Sequence, residues 1–139
     1  MSSKDRPDYP AIPLGVELRM EKSVPREWTI AAYDPRLPAV FSTPAMIGMM
    51  EVAAATAAQP HLPDGTITVG TRIEVDHLKA APVGALVYAW ARLVSQEGRR
   101  LIFEVESGMG EIIIGRGRVF RAIVDPKSFS AKTAARSSS

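Results

Sequence analysis

The sequence predicts an α+β domain in which one antiparallel sheet wraps around a single long helix. An apolar segment of helical composition, 43–58, contains only one charge. One strand-like segment precedes it, and four follow it at 66–78, 85–96, 99–108 and 111–124. Short turns separate the last three segments, which favours antiparallel neighbours. Together these observations predict a sheet curled around a buried helix.

The first strand is predicted from an alternation of apolar and charged residues over 16–21. It ends by Pro25, because proline cannot donate to a sheet ladder. Trp28, Ile30 and Ala32 continue the alternation and are candidates for an extension of this strand.

The helix is predicted over 43–58, with Thr43 as its N-cap and Pro44 at the first helical position. Its alanines and methionines make it apolar nearly all round, which is typical of a helix covered by other structure. One strand, one covered helix and four further strands are the elements of the hotdog fold. The sequence therefore predicts that fold.

The chain length of 139 residues allows one domain. The prolines and polar residues at one end, and the Ser-rich sequence at the other, predict loosely ordered termini. We expect a flexible N-terminal segment over 1–13, a single hotdog domain over 14–126 and a flexible C-terminal tail over 127–139.

Composition excludes several classes of chemistry. The chain has no cysteine and only two histidines, His61 and His77. Thiol nucleophiles, iron–sulfur clusters, thiolate zinc sites and an all-histidine metal site within one chain are therefore excluded, and we expect no metal or other cofactor. No apolar run approaches the roughly 18 residues that cross a bilayer, and none follows the N-terminus as in a signal peptide. We expect a cytoplasmic protein without a membrane partner.

The net charge of +2 hides an asymmetry. Residues 1–91 hold eight Lys and Arg against ten Asp and Glu, while residues 92–139 hold nine against five. The basic excess is too small and scattered for a nucleic-acid-binding stripe. It does favour a small polyanion.

A histidine ends the apolar face of the strand 66–78. Strict alternation separates two sets of residues, Ile67, Val69, Thr71, Ile73, Val75 and His77 on one face and Thr68, Gly70, Arg72, Glu74 and Asp76 on the other. Such a histidine is either packed at the rim with both ring nitrogens satisfied, or it works as a general base. A partner decides between these interpretations.

Glu51 is the partner that we predict for His77. A carboxylate in an apolar helix is costly to bury unless it is paired, hydrogen-bonded or protonated. Either the helix has an exposed edge there, or Glu51 lies in a dry pocket suited to catalysis. Arg121 is a similar anomaly, because it shares the face of two apolar residues in the last strand. An inward arginine needs an anion, in a functional site or in a salt bridge at the rim.

Thr43 has two interpretations, as a helix cap alone or as a site residue beside the free N–H groups of the helix N-terminus. Eight residues, or about 12 Å along a helix axis, separate it from Glu51. If both serve one site, then His77, a substrate or a second subunit must bridge them. This separation favours a homodimer with interfacial sites and leaves association of two dimers open.

Three segments resemble the fluoroacetyl-CoA thioesterase group of the hotdog superfamily. They are Val40 to Glu51, the Val69-Gly70-Thr71 sequence that leads to Val75-Asp76-His77, and Glu97 to Leu101. The resemblance extends from about residue 14 to residue 132. Val52 and Pro44, which follow the matching glutamate and threonine, depart from the family pattern, so the acyl group is not carried over.

The resemblance implies a Thr/Glu/His set at Thr43, Glu51 and His77, with Gly70 beside the acyl group and Arg121 near the pocket. It implies hydrolysis of an acyl-CoA thioester at a dimer interface. In the family the glutamate attacks the carbonyl or directs water, the histidine serves as base or activates the leaving thiol, and the threonine positions them.

The leading hypothesis is a homodimeric hotdog thioesterase that hydrolyses a small acyl-CoA, with coenzyme A as part of the substrate. One alternative is a hotdog module that binds acyl-CoA or a related small metabolite without chemistry. A dehydratase or hydratase is a third possibility, although no paired Asp/His motif of that type is present.

Overall fold

A computed structural model describes residues 9–137 of the chain. Its helices and strands are, in chain order, β1 (Glu17–Ser23), α1 (Thr43–Ala58), β2 (Ile67–His77), β3 (Leu86–Glu97), β4 (Arg100–Met109), β5 (Ile112–Val124) and α2 (Pro126–Ser137). The five strands form one antiparallel sheet in the order β1-β3-β4-β5-β2. The predicted α+β architecture and the β3-β4-β5 meander are confirmed. No helix within residues 9–137 combines the length and apolarity needed to cross a membrane.

Helix α1 packs on one face of the sheet, mainly against β3. Its buried residues are all methionine or alanine: Met46, Met49, Met50, Ala53, Ala54, Ala57 and Ala58. The sheet does not cover the helix on every side, because residues 44, 48, 52 and 56 form an exposed stripe at helical spacing. Val52 in this stripe is 52% exposed. The predicted sheet around one long central helix is therefore confirmed, and one stripe of the helix stays exposed in a single protomer.

The N-terminus of α1 is capped by Ser42, and the prediction of Thr43 as the cap is wrong. Ser42 has extended backbone angles, and its side chain accepts a hydrogen bond from the backbone N–H of Ala45 at 3.2 Å. Thr43 is the first helical residue and Pro44 follows it, where the missing N–H of proline costs nothing. The Thr43 hydroxyl is therefore not used for capping.

Strand β2 contains a bulge that changes which residues face the helix. Gly70 lies opposite Arg121 and Arg72 lies opposite Phe120, so Thr71 is an extra residue. A one-residue insertion reverses the alternation on one side of it. Thr68 is buried and Ile67 is exposed, whereas strict alternation predicted the reverse. Beyond the bulge the predicted orientation of His77 is retained, with its side chain half-buried.

The segment after β1 does not extend the strand. Residues Arg26–Trp28 and Ile30–Ala32 form two 3-10 turns instead. The backbone turns because the Thr29 hydroxyl donates to the Arg26 carbonyl at 2.7 Å, an alternative to a sheet ladder.

The structure differs from the sequence expectation at both termini. Ile12 is buried in the core, and its N–H donates to the Gln96 side chain at 2.7 Å, so the folded part begins before residue 14. Residues Pro126–Ser137 form a helix that composition did not predict. Residues 1–8 and 138–139 lie outside the described residues, and the flexibility of the termini stays a prediction.

Candidate active site

The first polar pair of the candidate site joins the start of α1 to the end of β2. Thr43 Oγ1 lies 2.7 Å from His77 Nδ1. If the hydroxyl donates to Nδ1, then Nε2 carries the ring proton; if Nδ1–H donates to the hydroxyl, then Nε2 is a free base. His77 Nε2 is buried and has no hydrogen-bond partner among residues 9–137. The pair therefore holds the ring in place and leaves one nitrogen available.

The second polar pair lies further along α1. Arg121 Nη1 on β5 lies 2.9 Å from Glu51 Oε2, and the two side chains are 9% and 23% exposed. The inward orientation predicted for Arg121 is confirmed, and the anion that it needs is Glu51. Glu51 Oε1 is buried and has no hydrogen-bond partner among residues 9–137. One oxygen of the carboxylate is thus held by the arginine while the other is available.

Thr68 on β2 holds the same arginine from its other side. Arg121 Nε donates to Thr68 Oγ1 at 2.8 Å, and Arg121 Nη2 donates to the Thr68 carbonyl at 2.9 Å. The sequence reasoning missed Thr68 because strict alternation turned it outward. The glycine at position 70 was an available signal, since a glycine inside a strand often marks a bulge.

Gly70 lies where β2 passes closest to Glu51. A Cβ atom at this position would overlap Glu51 Oε2 and would lie 3.5 Å from Arg121 Nη1. Any side chain at residue 70 would therefore displace the carboxylate or the strand. Gly70 makes room for the ion pair of Glu51 and Arg121. This is a physical reason for a glycine at this position.

The predicted contact between Glu51 and His77 does not occur within one protomer. His77 is bonded to Thr43, and Glu51 is bonded to Arg121. The two pairs lie eight residues apart on α1, about 12 Å along its axis. The structure thus brings together two predicted pairs of residues but not the whole set. No group of three or more His, Asp or Glu side chains suited to a metal ion occurs in the described part of the chain.

Solved structures similar to this chain include thioesterases and a hot-dog-like protein. The structure of the fluoroacetyl-CoA thioesterase FlK superposes with a TM-score of 0.84 at 34% identity, covering 91% of this chain and 98% of that one. A hypothetical Thermus thermophilus protein of the thioesterase superfamily gives 0.83 at 30% identity, covering 92% and 95%. A hot-dog-like protein from Thermanaerovibrio acidaminovorans gives 0.81 at 26% identity, covering 89% and 92%. The chain is a hotdog-fold thioesterase.

Sequence comparison narrows this class to a family. Residues 24–127 match the family described as FlK, fluoroacetyl-CoA-specific thioesterase. The fluoroacetyl-CoA thioesterase of Streptantibioticus cattleyicolor is 42% identical over 95 residues, which cover 68% of either chain. This chain belongs to the fluoroacetyl-CoA-specific thioesterase family and is an acyl-CoA thioester hydrolase, so the predicted resemblance, fold and enzyme class are confirmed.

Proposed function

We propose that this hydrolase converts a small acyl-CoA to the carboxylate and free CoA, with Thr43, Glu51 and His77 as its catalytic set. The observation that carries the proposal is that Glu51 Oε1 and His77 Nε2 are both buried without a partner among residues 9–137. A buried polar atom is costly unless another group completes its hydrogen bonding. A thioester offers a carbonyl carbon to the carboxylate and a sulfur leaving group to the imidazole.

Two routes are open to Glu51. As a nucleophile, Oε1 bonds to the thioester carbonyl carbon, the C–S bond breaks, and water then hydrolyses the mixed anhydride to release the acid and free Glu51. As a general base, Glu51 takes a proton from the water that attacks the same carbon directly. In either route His77 Nε2–H protonates the leaving CoA thiolate, which requires the tautomer in which the Thr43 hydroxyl donates to Nδ1.

The acyl group is proposed to bind beside Gly70 and Arg121. These residues flank Glu51, the residue assigned to the thioester carbon. In the first turn of α1, Pro44 has no N–H and the N–H groups of Ala45 and Met46 are bonded to Ser42, so the N–H of Thr43 is the candidate there to stabilise the oxyanion. The names of the relatives give a fluoroacetyl thioester as their substrate, which supports a short acyl group here. Assays with a panel of acyl-CoAs identify the acyl group.

We further propose that the enzyme is a homodimer with its sites at the interface. β2 is an edge strand of the sheet, so its outer N–H and C=O groups have no strand partner among residues 9–137 of the same chain. Ile73 on β2, which lies opposite the buried Val119, and Val52 on α1 are large exposed apolar residues on the helix side of the sheet. A second copy that covers this region would bury them. The mass of the protein in solution shows whether two dimers then associate.

We expect the protein to be cytoplasmic and to bind acyl-CoA. We also expect it to need no cofactor beyond the CoA of its substrate, and to bind neither nucleic acid nor membrane. The basic excess of residues 92–139 is the candidate for the CoA phosphates. Salt dependence of KM for acyl-CoA tests that assignment, since charge attraction weakens as salt rises.

Release of free thiol from a panel of acyl-CoAs tests the activity. Glu51→Gln is a better comparison than Glu51→Ala, because glutamine keeps the size of the side chain and its amide oxygen can still accept a hydrogen bond from Arg121. We expect turnover by the wild type and a loss of about 100-fold or more in Glu51→Gln. Saturable binding without hydrolysis would instead support the non-catalytic module, and activity insensitive to His77→Ala would remove that residue from the set.

Mixing inactive variants tests whether two subunits share one site. If Glu51 of one copy acts with His77 of another, random dimers of Glu51→Gln and His77→Ala recover about a quarter of wild-type activity. Half of such dimers would be mixed, and one of their two sites would be intact. If each site lies within one protomer, the mixture stays inactive.

A further inference from the structure

One buried residue determines how Arg121 is oriented. Thr68 accepts from Nε through its hydroxyl and from Nη2 through its carbonyl, at 2.8 and 2.9 Å. Thr68 is 7% exposed and Arg121 is 8% exposed, so water has little access to compete for these bonds. The guanidinium is planar and rigid. Fixing Nε and Nη2 therefore fixes the direction in which Nη1 points.

Arg121 Nη1 points towards the carboxylate of Glu51. Nη1 lies 2.9 Å from Glu51 Oε2 and is the nitrogen that Thr68 leaves free. A chain of contacts thus connects Thr68 on β2, Arg121 on β5 and Glu51 on α1. Three elements meet at this point, and the arginine is the only link between the hydroxyl and the carboxylate among the contacts of the described residues.

The bulge in β2 makes this chain of contacts possible. Thr68 and Gly70 precede the extra residue Thr71, and His77 follows it. Without the extra residue, a strand that presents His77 to the helix would present Thr68 to the opposite face. One irregularity therefore allows the same strand to supply His77 to one polar pair and Thr68 to the other.

We propose that Thr68 is a positioning residue of the hydrolase, which orients Arg121 so that Arg121 fixes the Glu51 carboxylate. The inference rests on the proposed function, in which Glu51 acts on the thioester. Thr68 does not touch the carboxylate, so its effect passes through the arginine. Arg121 holds Glu51 Oε2 in place and leaves Glu51 Oε1 directed at the reacting carbon.

Thr68→Val is the decisive variant, because valine has nearly the shape of threonine and carries a methyl group in place of the hydroxyl that accepts from Arg121. Arg121 Nε loses its acceptor while the Nη2 bond to the backbone remains. We expect kcat to fall about 10- to 100-fold, the effect of a small displacement of a reacting group, while KM changes about twofold or less. Thr68→Ser restores the hydroxyl, and its kcat should return to within about threefold of wild type.

Thr29→Val is the matched control. Thr29 is also buried, and its hydroxyl donates to the Arg26 carbonyl rather than to a site residue. The variant loses a buried hydroxyl and some stability, but its kcat should stay at the wild-type value. Should Thr68→Val not fold, Thr68→Cys takes its place, because sulfur is a weak acceptor and the expected direction is the same.

The Arg121→Ala background tests the route of the effect. If Thr68 acts only through Arg121, then Thr68→Val lowers kcat no further in Arg121→Ala, which is the signature of coupled residues. Wild-type kcat in Thr68→Val, an equal loss in Thr68→Ser, or an equal loss in Thr29→Val overturns the inference and leaves the proposed function intact. Absence of acyl-CoA hydrolysis by the wild type overturns the proposed function and the inference with it.

Discussion

At the scale of single residues, the carboxylate of Glu51 is confined from two sides. Arg121 binds one of its oxygens, and the backbone of β2 at Gly70 approaches the same oxygen so closely that no Cβ fits. Oε2 is therefore held by Arg121 in the space that Gly70 leaves, while Oε1 has no hydrogen-bond partner among residues 9–137. Such confinement suits a reacting group, because catalysis depends on orientation within fractions of an ångström.

Gly70→Ala tests this confinement. The added methyl overlaps Glu51 Oε2, so we expect the carboxylate to move and kcat/KM to fall about 100-fold. Thiol-release kinetics measure the loss, and circular dichroism checks that the sheet is retained. In a Glu51→Gln background the same substitution should have little further effect. A full additional loss in that background would show that Gly70 acts on something other than Glu51.

At the scale of elements, two adjacent residues at the start of α1 have separate tasks. Ser42 caps the helix through the N–H of Ala45, and Thr43 hydrogen-bonds to His77. The division follows from backbone geometry, since the cap residue is extended and its neighbour is already helical. Stability and activity should therefore respond to different substitutions.

Ser42→Ala and Thr43→Val form a matched pair at this helix end. Ser42→Ala should lower the free energy of unfolding by about 1 kcal/mol, the usual value of an N-cap, and change kcat little. Thr43→Val should lower kcat by about tenfold or more and change the free energy of unfolding by about 0.5 kcal/mol or less. Urea unfolding and thiol-release assays measure both. The reverse pattern would contradict these assignments.

The outer face of the sheet is organised by cross-strand charge pairs. Glu17, Arg92, Glu104, Arg118 and Glu74 lie opposite one another in successive strands across the whole sheet. Arg92 binds Glu104 at 2.9 Å, and Arg118 binds Glu74 at 2.8 Å. These arginines are therefore already neutralised, which makes them weaker candidates for the CoA phosphates. Exposed pairs of this kind contribute little stability individually.

Tyr88 on β3 gives the outer face a pH dependence. Burial, followed by the hydrogen bond of its hydroxyl to Glu106, raises the pKa of Tyr88 above its ordinary value of 10.0. The unfolded chain therefore loses this proton first as pH rises. The contribution of Tyr88 to stability is complete below pH 10 and is lost as pH rises through the raised pKa of the folded state.

Comparison with Tyr88→Phe isolates this contribution. Urea unfolding of both proteins at about pH 8 and about pH 11 gives the difference in their free energies of unfolding. We expect that difference to change in favour of Tyr88→Phe at the higher pH, because phenylalanine does not titrate. A difference that is equal at both values would contradict the raised pKa. Other titrating groups are common to both proteins and cancel.

At the scale of the whole molecule, one protomer leaves its helix and one sheet edge incompletely covered. Val52 in the exposed stripe of α1 and Ile73 on the edge strand β2 are large exposed apolar residues. Of the two polar pairs of the candidate site, Thr43 with His77 joins α1 to β2, and Glu51 with Arg121 joins α1 to β5. Assembly and activity are therefore expected to depend on each other.

Val52→Asp tests the proposed dimer. The wild type should have a mass of about twice 15.0 kDa in solution, and a charge in the apolar stripe should weaken the dimer. Analytical ultracentrifugation measures the mass, and activity should fall with it. Leu86→Asp is the control, because Leu86 is 56% exposed, comparable with Val52 at 52%, but lies beside β1 at the opposite edge of the sheet. A monomeric, active wild type would contradict the interfacial site.

The sheet, the long helix and most candidate residues could be predicted from the sequence alone. Local alternation and turn residues predicted strands β2 to β5 to within a residue or two, because these patterns reflect short-range geometry. With so few ionisable groups on apolar faces, Glu51, His77 and Arg121 could be selected before any contact was known. The 3-10 turns after β1 and the helix at the C-terminus were not predicted, since composition there is compatible with several conformations.

Which of these residues meet depends on how the strands and the helix pack. The sequence paired Glu51 with His77, whereas within the protomer Glu51 pairs with Arg121 and His77 with Thr43. Glu51 does not reach His77 because it lies eight residues beyond Thr43 on α1, about 12 Å along the axis. Two irregularities then decide the partners: the extra residue in β2 turns Thr68 towards Arg121, and capping by Ser42 leaves the Thr43 hydroxyl to His77. Each changes which way a side chain points while leaving the apolar pattern almost unaltered. Orientation at such irregularities depends on the partner strand and the packed helix, which alternation along a single strand does not contain.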